Sequence, residues 1–139
     1  MKRLVLDSTI IIKWLNKNKE DDIVQADKIL EDAHSGKAIL YSPELAKIEV
    51  GKVLLQNLKL SQTEAKIPLS ILYDLPIQFI AHTPQLAKES YAIASAFGIN
   101  YYESVFLALS EEKNAVFVTD KINPQAITAG IKILALKDY

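Results

Sequence analysis

Cysteine is absent from the 139 residues, and histidine occurs only twice, at His34 and His82. The lack of cysteine excludes disulfides, thiol catalysis and thiolate zinc sites. The two histidines lie far apart in the sequence, in ordinary surroundings, and neither is predicted to bind a metal ion. A metal site in this chain is therefore expected to use oxygen ligands alone.

A long apolar run is also missing, since no stretch approaches the roughly 20 residues that a membrane-spanning helix needs. Asp7 and Lys13 interrupt the apolar stretch near the N-terminus, which argues against a signal peptide. The formal net charge is −1, so a nucleic-acid partner would need a local basic patch. We expect a soluble, cytoplasmic protein that has no membrane partner.

Glycine is scarce, with four residues, and no G-x-G-x-x-G motif or P-loop follows an apolar run. Nucleotide-binding loops of those two kinds are therefore not predicted. Half of the residues are apolar and 24% are charged, which is the composition of an ordinary globular protein. A chain of this length fits one domain, which we expect to cover residues 1–139.

Short apolar runs bounded by turn residues predict five strands. These runs are "RLVL" (3–6), "AILY" (38–41), "IQFI" (77–80), "AVFVT" (115–119) and "IKILAL" (131–136). Segments with helical spacing lie between them, and one is predicted to begin at Pro43 and end near Asn57. The alternation predicts a doubly wound α/β domain, in which a parallel sheet lies between two helical layers.

Another predicted helix has clear terminal signals, with Thr83 as its N-cap, Pro84 in its first turn and Gly98 beyond its end. Its inward-facing residues are expected to be Leu86, Ala87, Tyr91, Ala94 and Phe97.

Acidic residues follow the predicted strands, at the sheet edge where parallel α/β proteins bind ligands. Asp7 ends the first strand, and Asp120 ends the fourth strand directly after Thr119. Glu49 lies in the second turn of the helix after strand two, and Glu103 lies in the first turn of the helix before strand four. We expect these four carboxylates to map to one edge of the sheet.

Three of these acids also have purely structural explanations. Asp7 and Asp120 are typical cap or turn residues, and Glu103 has capping-box spacing from Asn100. Glu49 is harder to explain in this way, because its neighbours Ile48 and Val50 are expected to be buried and an unpaired buried carboxylate is costly.

Clustered carboxylates repel one another unless protons or a cation neutralise them. An all-oxygen cluster suits Mg²⁺ or Mn²⁺, and these ions promote phosphodiester hydrolysis. A phosphoacceptor receiver domain is disfavoured, because "IQFIAHT" has no acid at the end of strand three. A haloacid-dehalogenase-type phosphatase is disfavoured as well, because Thr9 stands where its second acid would be.

The sequence resembles the PIN-domain family, in the group of VapC-like toxins of prokaryotic toxin–antitoxin pairs. The resemblance covers essentially the whole chain and rests on the order of "LVLDSTIIIKWL", "YSPELAKIEVGKVL", "GINYYESVFLALSEEKNAVFVTD" and "GIKILAL". It implies a three-layer α/β/α fold that is usually dimeric, a cognate antitoxin, and metal-dependent endoribonuclease activity on RNA. The metal would be Mg²⁺ or Mn²⁺.

Matched position by position, the resemblance implies that the catalytic and metal-binding acids are Asp7, Glu49, Glu103 and Asp120, with Thr9 as a hydroxyl residue near the metal. Two positions depart from the family pattern. Glu103 stands where Asp is usual, and Lys121 occupies the usual acidic position because Asp120 directly follows Thr119. The alternative is therefore a catalytically weak or inactive PIN-like domain that acts through RNA binding or protein association.

Basic and aromatic residues near these acids are candidates for RNA binding. Lys13, one helical turn beyond Thr9, and Lys121 are predicted to bind phosphate. Tyr101 and Tyr102 would either stack on a base or pack in the core, and core packing is the favoured interpretation. The segment from 43 to 75 has more apolar residues than one helix face needs, which favours a homodimer surface there.

Overall fold

A computed structural model describes residues 1–16 and 21–139 of the chain. Its strands are β1 (Lys2–Leu6), β2 (Ala38–Pro43), β3 (Ile77–Ile80), β4 (Val116–Thr119) and β5 (Ile133–Ala135). Its helices are α1 (Ser8–Leu15), α2 (Ile23–His34), α3 (Leu45–Gln56), α4 (Gln62–Asp74), α5 (Pro84–Phe97), α6 (Tyr101–Glu112) and α7 (Pro124–Thr128). A short 3₁₀ helix spans Leu136–Asp138. All five predicted strands are present, whereas α7 was not predicted.

The strands form one parallel sheet in the order β3-β2-β1-β4-β5. The chain moves outward from β1 to β3 and then crosses back to β4 on the other side of β1. Right-handed crossovers therefore place α1 to α4 on one face and α5 to α7 on the other. The helix contacts agree, because α1 packs on α2, α3 and α4, while α5 packs on α6 and α7. The predicted three-layer α/β/α architecture is confirmed.

The strand order reverses between β1 and β4, and this reversal fixes where the chemistry is expected. At such a switch point the loops after the two strands diverge and leave a crevice at their carboxyl ends. Asp7 follows β1 directly, and Asp120 follows β4. The core lies beneath this crevice, where Val5, Leu6 and Val118 are completely buried.

Helix α6 is buried continuously over Ser104–Ser110, because it contacts both the sheet and α5. A helix enclosed in this way is apolar on several faces. Among the described residues, no single helix is long and apolar enough to span a membrane, although α5 and α6, which bend by 117° between them, reach that length and composition as a pair.

Two local expectations differ from the structure. Pro43 does not open α3; it is the last residue of β2, where it pairs with Ile80, and proline is tolerated at a strand end. The caps of α5 are as predicted, and Gly98 takes the left-handed conformation with φ +64°. Its buried face is rotated from the prediction, however, and consists of Leu86, Ser90 and Ile93, whereas Tyr91 is 70% exposed.

Candidate acidic site

Asp7, Glu49 and Glu103 line one pocket at the carboxyl edge of the sheet, with a volume of about 350 Å³. They come from three different elements: the end of β1, the second turn of α3 and the first turn of α6. The other lining residues are Asn100, Tyr102, Phe106, Phe117, Thr119 and Lys121. The structure thus brings together three of the four predicted acids, which are distant in the sequence.

The Asp7 carboxylate is held by hydroxyl groups. Thr119 Oγ1 donates a 2.7 Å hydrogen bond to Asp7 Oδ2, and Ser8 Oγ lies 3.4 Å from Oδ1. Asp7 occupies the N-cap position of α1, yet its side chain makes no capping hydrogen bond. Helix capping by the side chain therefore does not account for this acid, and its carboxylate is oriented by the end of β4.

Glu49 is half-buried, and its Oε1 atom is buried without a hydrogen-bond partner. Burial raises the pKa of Glu49 above its ordinary value, and the negative charge of Asp7 raises it further. The Ser8 side chain and the charge of Lys52 act in the opposite direction. A buried oxygen that lacks a donor is costly in a folded protein, and a cation bound at Glu49 Oε1 would offset this cost.

The surroundings of Glu49 differ in one respect from the sequence prediction. Val50 is completely buried as expected, whereas Ile48 is 71% exposed. The burial of the Glu49 carboxylate thus comes from its position at the pocket wall rather than from a helix that is buried on all sides.

Glu103 is held by a residue that the sequence did not single out. Asn123 Nδ2 donates a 2.9 Å hydrogen bond to Glu103 Oε2, while Asn123 Oδ1 accepts a 3.0 Å bond from the backbone of Gln125. Asn123 thereby caps α7 and orients Glu103 at the same time. The Asn-Pro pair before α7 is a recognisable helix start, but its contact with Glu103 depends on the tertiary fold.

Asp120 lies in an adjoining pocket of about 280 Å³, which also contains Thr9, Ser8 and Asn57 in its wall. Its Oδ2 atom is 3.4 Å from the ammonium nitrogen of Lys13. The side chain of Lys13 is only 2% exposed, while that of Asp120 is 35% exposed. The structure therefore places Lys13 beside Asp120 inside the protein and places Thr9 next to the acidic pocket rather than in its wall.

Two residues that line the acidic pocket are exposed, and so is Tyr101, which precedes one of them in the chain. Lys121 is exposed and lines the pocket, as does Tyr102, which is 60% exposed. Tyr101 is 40% exposed. The favoured core-packing interpretation of the two tyrosines is therefore wrong, because the buried part of α6 begins only at Ser104.

The fit of these residues to a metal ion is partial. Within residues 1–16 and 21–139, no three Asp, Glu or His side chains are arranged so that they hold a metal ion. Mg²⁺, however, keeps several water ligands and commonly uses only one or two carboxylates. The neighbouring carboxylates of Asp7 and Glu49, and the unpartnered Oε1 atom of Glu49, suit such an ion.

The protein is a three-layer α/β protein with an acidic pocket at the switch point of its parallel sheet. A family model described as the PIN domain matches residues 4–122, and the chain therefore belongs to the PIN-domain family. A search of curated proteins gives no match.

Solved structures with a similar fold include toxin–antitoxin proteins. A chain of VapBC2 from Rickettsia felis, bound to a promoter DNA fragment, has a TM-score of 0.71 and 12% identity over 96% of this chain and 98% of that chain. PAE2754 from Pyrobaculum aerophilum has a TM-score of 0.69 and 16% identity, covering 98% and 90%. VapC20 from Mycobacterium tuberculosis, a toxin that cleaves the sarcin-ricin loop, has a TM-score of 0.66 and 12% identity, covering 92% and 95%. At these identities the likeness concerns the fold.

Proposed function

We propose that this PIN-domain protein is a Mg²⁺- or Mn²⁺-dependent endoribonuclease, and that it acts in the cytoplasm as the toxin of a toxin–antitoxin pair. The observation that carries the proposal is the buried, unpartnered Oε1 atom of Glu49 in a pocket shared with Asp7 and Glu103. Asp7 and Glu49 are the proposed direct metal ligands, and Glu103 is proposed to act through the water ligands of the ion. A bound divalent cation would stabilise the charge that develops on a phosphodiester during hydrolysis.

The protein's own residues prepare the pocket for this role. Thr119 and Asn123 fix the carboxylates of Asp7 and Glu103 through short hydrogen bonds, so little ordering is needed when a cation binds. Glu49 takes up a proton more readily than an ordinary carboxyl group, and cation binding would release it. Lys121 at the mouth supplies a positive charge for an approaching phosphate.

The predicted site also includes Asp120, Thr9 and Lys13. Their contacts lie in the adjoining pocket and not in the acidic pocket itself. The ion pair between Lys13 and Asp120 and the position of Thr9 in the adjoining pocket favour a supporting role. In this role Lys13 holds Asp120 against the end of β4, next to Thr119, which in turn holds Asp7. Lys13 is then a positioning residue, and Lys121 is the residue that meets phosphate.

The proposed partners are an antitoxin and a second copy of the chain. Structures of similar fold include DNA-bound VapBC from Salmonella typhimurium and FitAB bound to a DNA fragment, which supports an antitoxin partner. Leu55 on α3 and Ile67 on α4 are 67% and 70% exposed. These side chains leave an apolar surface on the segment where the sequence predicted a homodimer interface.

The test of the proposed activity is cleavage of a structured RNA by the purified chain, with Mg²⁺, with Mn²⁺ or with EDTA. We expect cleavage with either cation and none with EDTA. Asp7→Asn should lower the rate at least about 100-fold, because it removes a ligand charge. Circular dichroism of the variant checks that the fold is retained. Cleavage that persists in EDTA, or that is unchanged in Asp7→Asn, would contradict the proposal.

A second candidate function is supported by specific features of the same site. Glu103 replaces the usual Asp, and Lys121 stands in the usual acidic position. These substitutions favour a PIN-like domain that binds RNA or another protein without cleaving RNA. RNA binding by both the parent and Asp7→Asn, with no cleavage by either at any metal concentration, is the result expected of this alternative.

A further inference from the structure

Tyr102 presents a large aromatic ring to solvent at the wall of the acidic pocket, although α6 does not need it for its core. The residue is 60% exposed, and the buried stretch of α6 starts two positions later at Ser104. Asn100 caps the helix by accepting a 2.8 Å hydrogen bond from the backbone of Tyr102. This cap fixes the backbone that carries the ring, so the ring stands on a rigid base beside Glu103.

A second tyrosine and a histidine extend the aromatic surface away from the pocket. Tyr101 Oη lies 3.5 Å from His82 Nε2, and the two rings meet edge to face with their centroids 6.4 Å apart. His82 follows β3, at the side of the sheet remote from β4. We call these three residues the aromatic row: Tyr102 lines the acidic pocket, and the pair of Tyr101 and His82 lies on its β3 side.

The charged residues and the aromatic row follow one another along the carboxyl edge of the sheet. Lys121 follows β4, the carboxylates of Asp7 and Glu49 lie at and beside β1, and the aromatic row lies on the β3 side. A ligand that spans this edge meets a cation, an acidic pocket and flat rings in turn. A single-stranded polynucleotide, which carries phosphates and unstacked bases in alternation, matches this order when the proposed cation neutralises the carboxylates.

We propose that Tyr102, extended by Tyr101 and His82, is a stacking site for an unpaired nucleobase adjacent to the phosphate at the acidic pocket. The inference rests on the proposed function for its substrate class, RNA, but it concerns binding rather than cleavage. Stacking on an aromatic side chain tolerates every base because each base has a π-face. The site therefore selects an unpaired base rather than a particular sequence.

The experiment measures binding of a fluorescein-labelled single-stranded RNA by anisotropy, in Mg²⁺, using the full chain with Asp7→Asn to prevent cleavage. Adding Tyr102→Leu should raise the Kd about 5- to 100-fold, in line with measured losses of base–aromatic stacking. Tyr102→Trp should retain the affinity, since its ring also stacks. Tyr91→Leu is the matched control, because Tyr91 is also an exposed tyrosine, at 70%, and lies on α5 outside the pocket wall.

A second RNA of the same length with abasic residues separates stacking from a structural effect. The difference between Tyr102 and Tyr102→Leu should disappear on this RNA, because it has phosphates but no base to stack. The proposal is overturned if the chain binds no RNA, if Tyr102→Leu binds as tightly as its parent, or if the loss is the same on abasic RNA. Failure of the proposed function would appear separately, as a lack of cleavage by the chain that retains Asp7.

Discussion

The ammonium nitrogen of Lys13 lies 3.4 Å from Asp120 Oδ2, and this ion pair joins the buried face of α1 to the end of β4. Lys13 is among the largest fully buried side chains in the described part of the chain. A lysine in such a position keeps its charge only with polar or charged partners. The relationship makes Asp120 a counter-ion inside the fold as well as a residue at the edge of the acidic site.

Asp120→Asn should therefore lower stability, because it removes the negative charge that faces a buried cation. We expect a loss of ~1–2 kcal/mol in the free energy of unfolding, less than for a fully buried pair because Asp120 is partly exposed. Urea unfolding followed by circular dichroism measures it. The double variant Lys13→Met with Asp120→Asn should recover part of the loss, since it removes both charges. Unchanged stability of Asp120→Asn together with lost cleavage would instead identify Asp120 as a ligand.

The pH dependence of the free energy of unfolding should show that the charged form of Glu49 destabilises the fold. Burial and the Asp7 charge raise the pKa of Glu49 above its ordinary value of 4.5. The folded chain then binds the Glu49 proton more tightly than the unfolded chain, so this contribution to stability is lost as pH rises from about 4.5 through the raised pKa.

Glu49→Gln should remove this contribution. At pH 7 and without divalent cations, we expect its Tm to be about 1–3 °C above that of the parent, because Gln carries no charge next to Asp7. The difference should shrink as pH falls below 4.5, where both forms are neutral at this position. Thermal unfolding at a series of pH values measures the two curves. A variant less stable than the parent at pH 7 would contradict the account of Glu49.

Asn123→Asp separates the two roles of Asn123. An Asp side chain can still accept the hydrogen bond from Gln125 that caps α7, but it cannot donate to Glu103 and adds a repelling charge. We expect cleavage to fall about 10- to 100-fold, because Asn123 orients Glu103, an acid of the proposed metal site, and losses of this size are typical for such supporting hydrogen bonds. Helical circular dichroism should be unchanged. Full activity would show that the bond to Glu103 does not position this acid.

The sequence predicted the sheet well, because buried parallel strands are short apolar runs whose neighbours are turn residues. The run "IQFI" has the same bounds as β3 (Ile77–Ile80). The inner face of α5 was harder to predict, because a serine replaces an apolar residue there. Ser90 is buried and donates a 2.6 Å hydrogen bond to the carbonyl of Leu86, which satisfies its hydroxyl within the helix.

The acidic site was predictable as far as strand order determines it. Asp7, Glu49 and Glu103 are near one another because the carboxyl ends of parallel strands share an edge, and the sequence contains that information. The contacts of Asn123 and Lys13 depend on side-chain directions across neighbouring elements, which helical spacing does not specify. Lys13 was predicted to bind phosphate from its position one helical turn beyond Thr9; α1 is buried over Ile10–Trp14, and the ammonium group of Lys13 lies beside Asp120.

Tyr139 forms a separate set of contacts at the opposite side of the sheet. Its hydroxyl donates a 2.6 Å hydrogen bond to Asp32 Oδ2, and Lys2 lies over its ring at 4.4 Å. The bond from Tyr139 holds the pKa of Asp32 below its ordinary value, with a smaller contribution from Lys2. Tyr139→Phe should lower the Tm by about 3–6 °C at pH 7, because Asp32 loses its shortest donor.

The loss in Tyr139→Phe should become smaller in acid. Asp32 has a lowered pKa, so its contribution is present above the ordinary value of 3.8 and is lost as pH falls through the lowered one. Thermal unfolding of the variant and the parent, at pH 7 and near pH 3, measures the Tm difference at each pH. RNA cleavage should be unaffected, because Tyr139 contacts Lys2 at the amino end of β1, whereas Asp7 follows the carboxyl end of that strand. An equal Tm for the variant and the parent at pH 7 would show that the hydrogen bond does not stabilise the fold.

The central claim is that the pocket of Asp7, Glu49 and Glu103 binds a divalent cation, and calorimetric titration with Mn²⁺ tests it most directly. The parent chain should bind Mn²⁺, and Glu49→Gln should bind it at least about tenfold more weakly, since it loses a ligand charge. Glu111→Gln, which removes an exposed acid on α6 outside this pocket, should bind as the parent does. Equal Mn²⁺ affinity for the parent and Glu49→Gln, or no binding by either, would contradict the account.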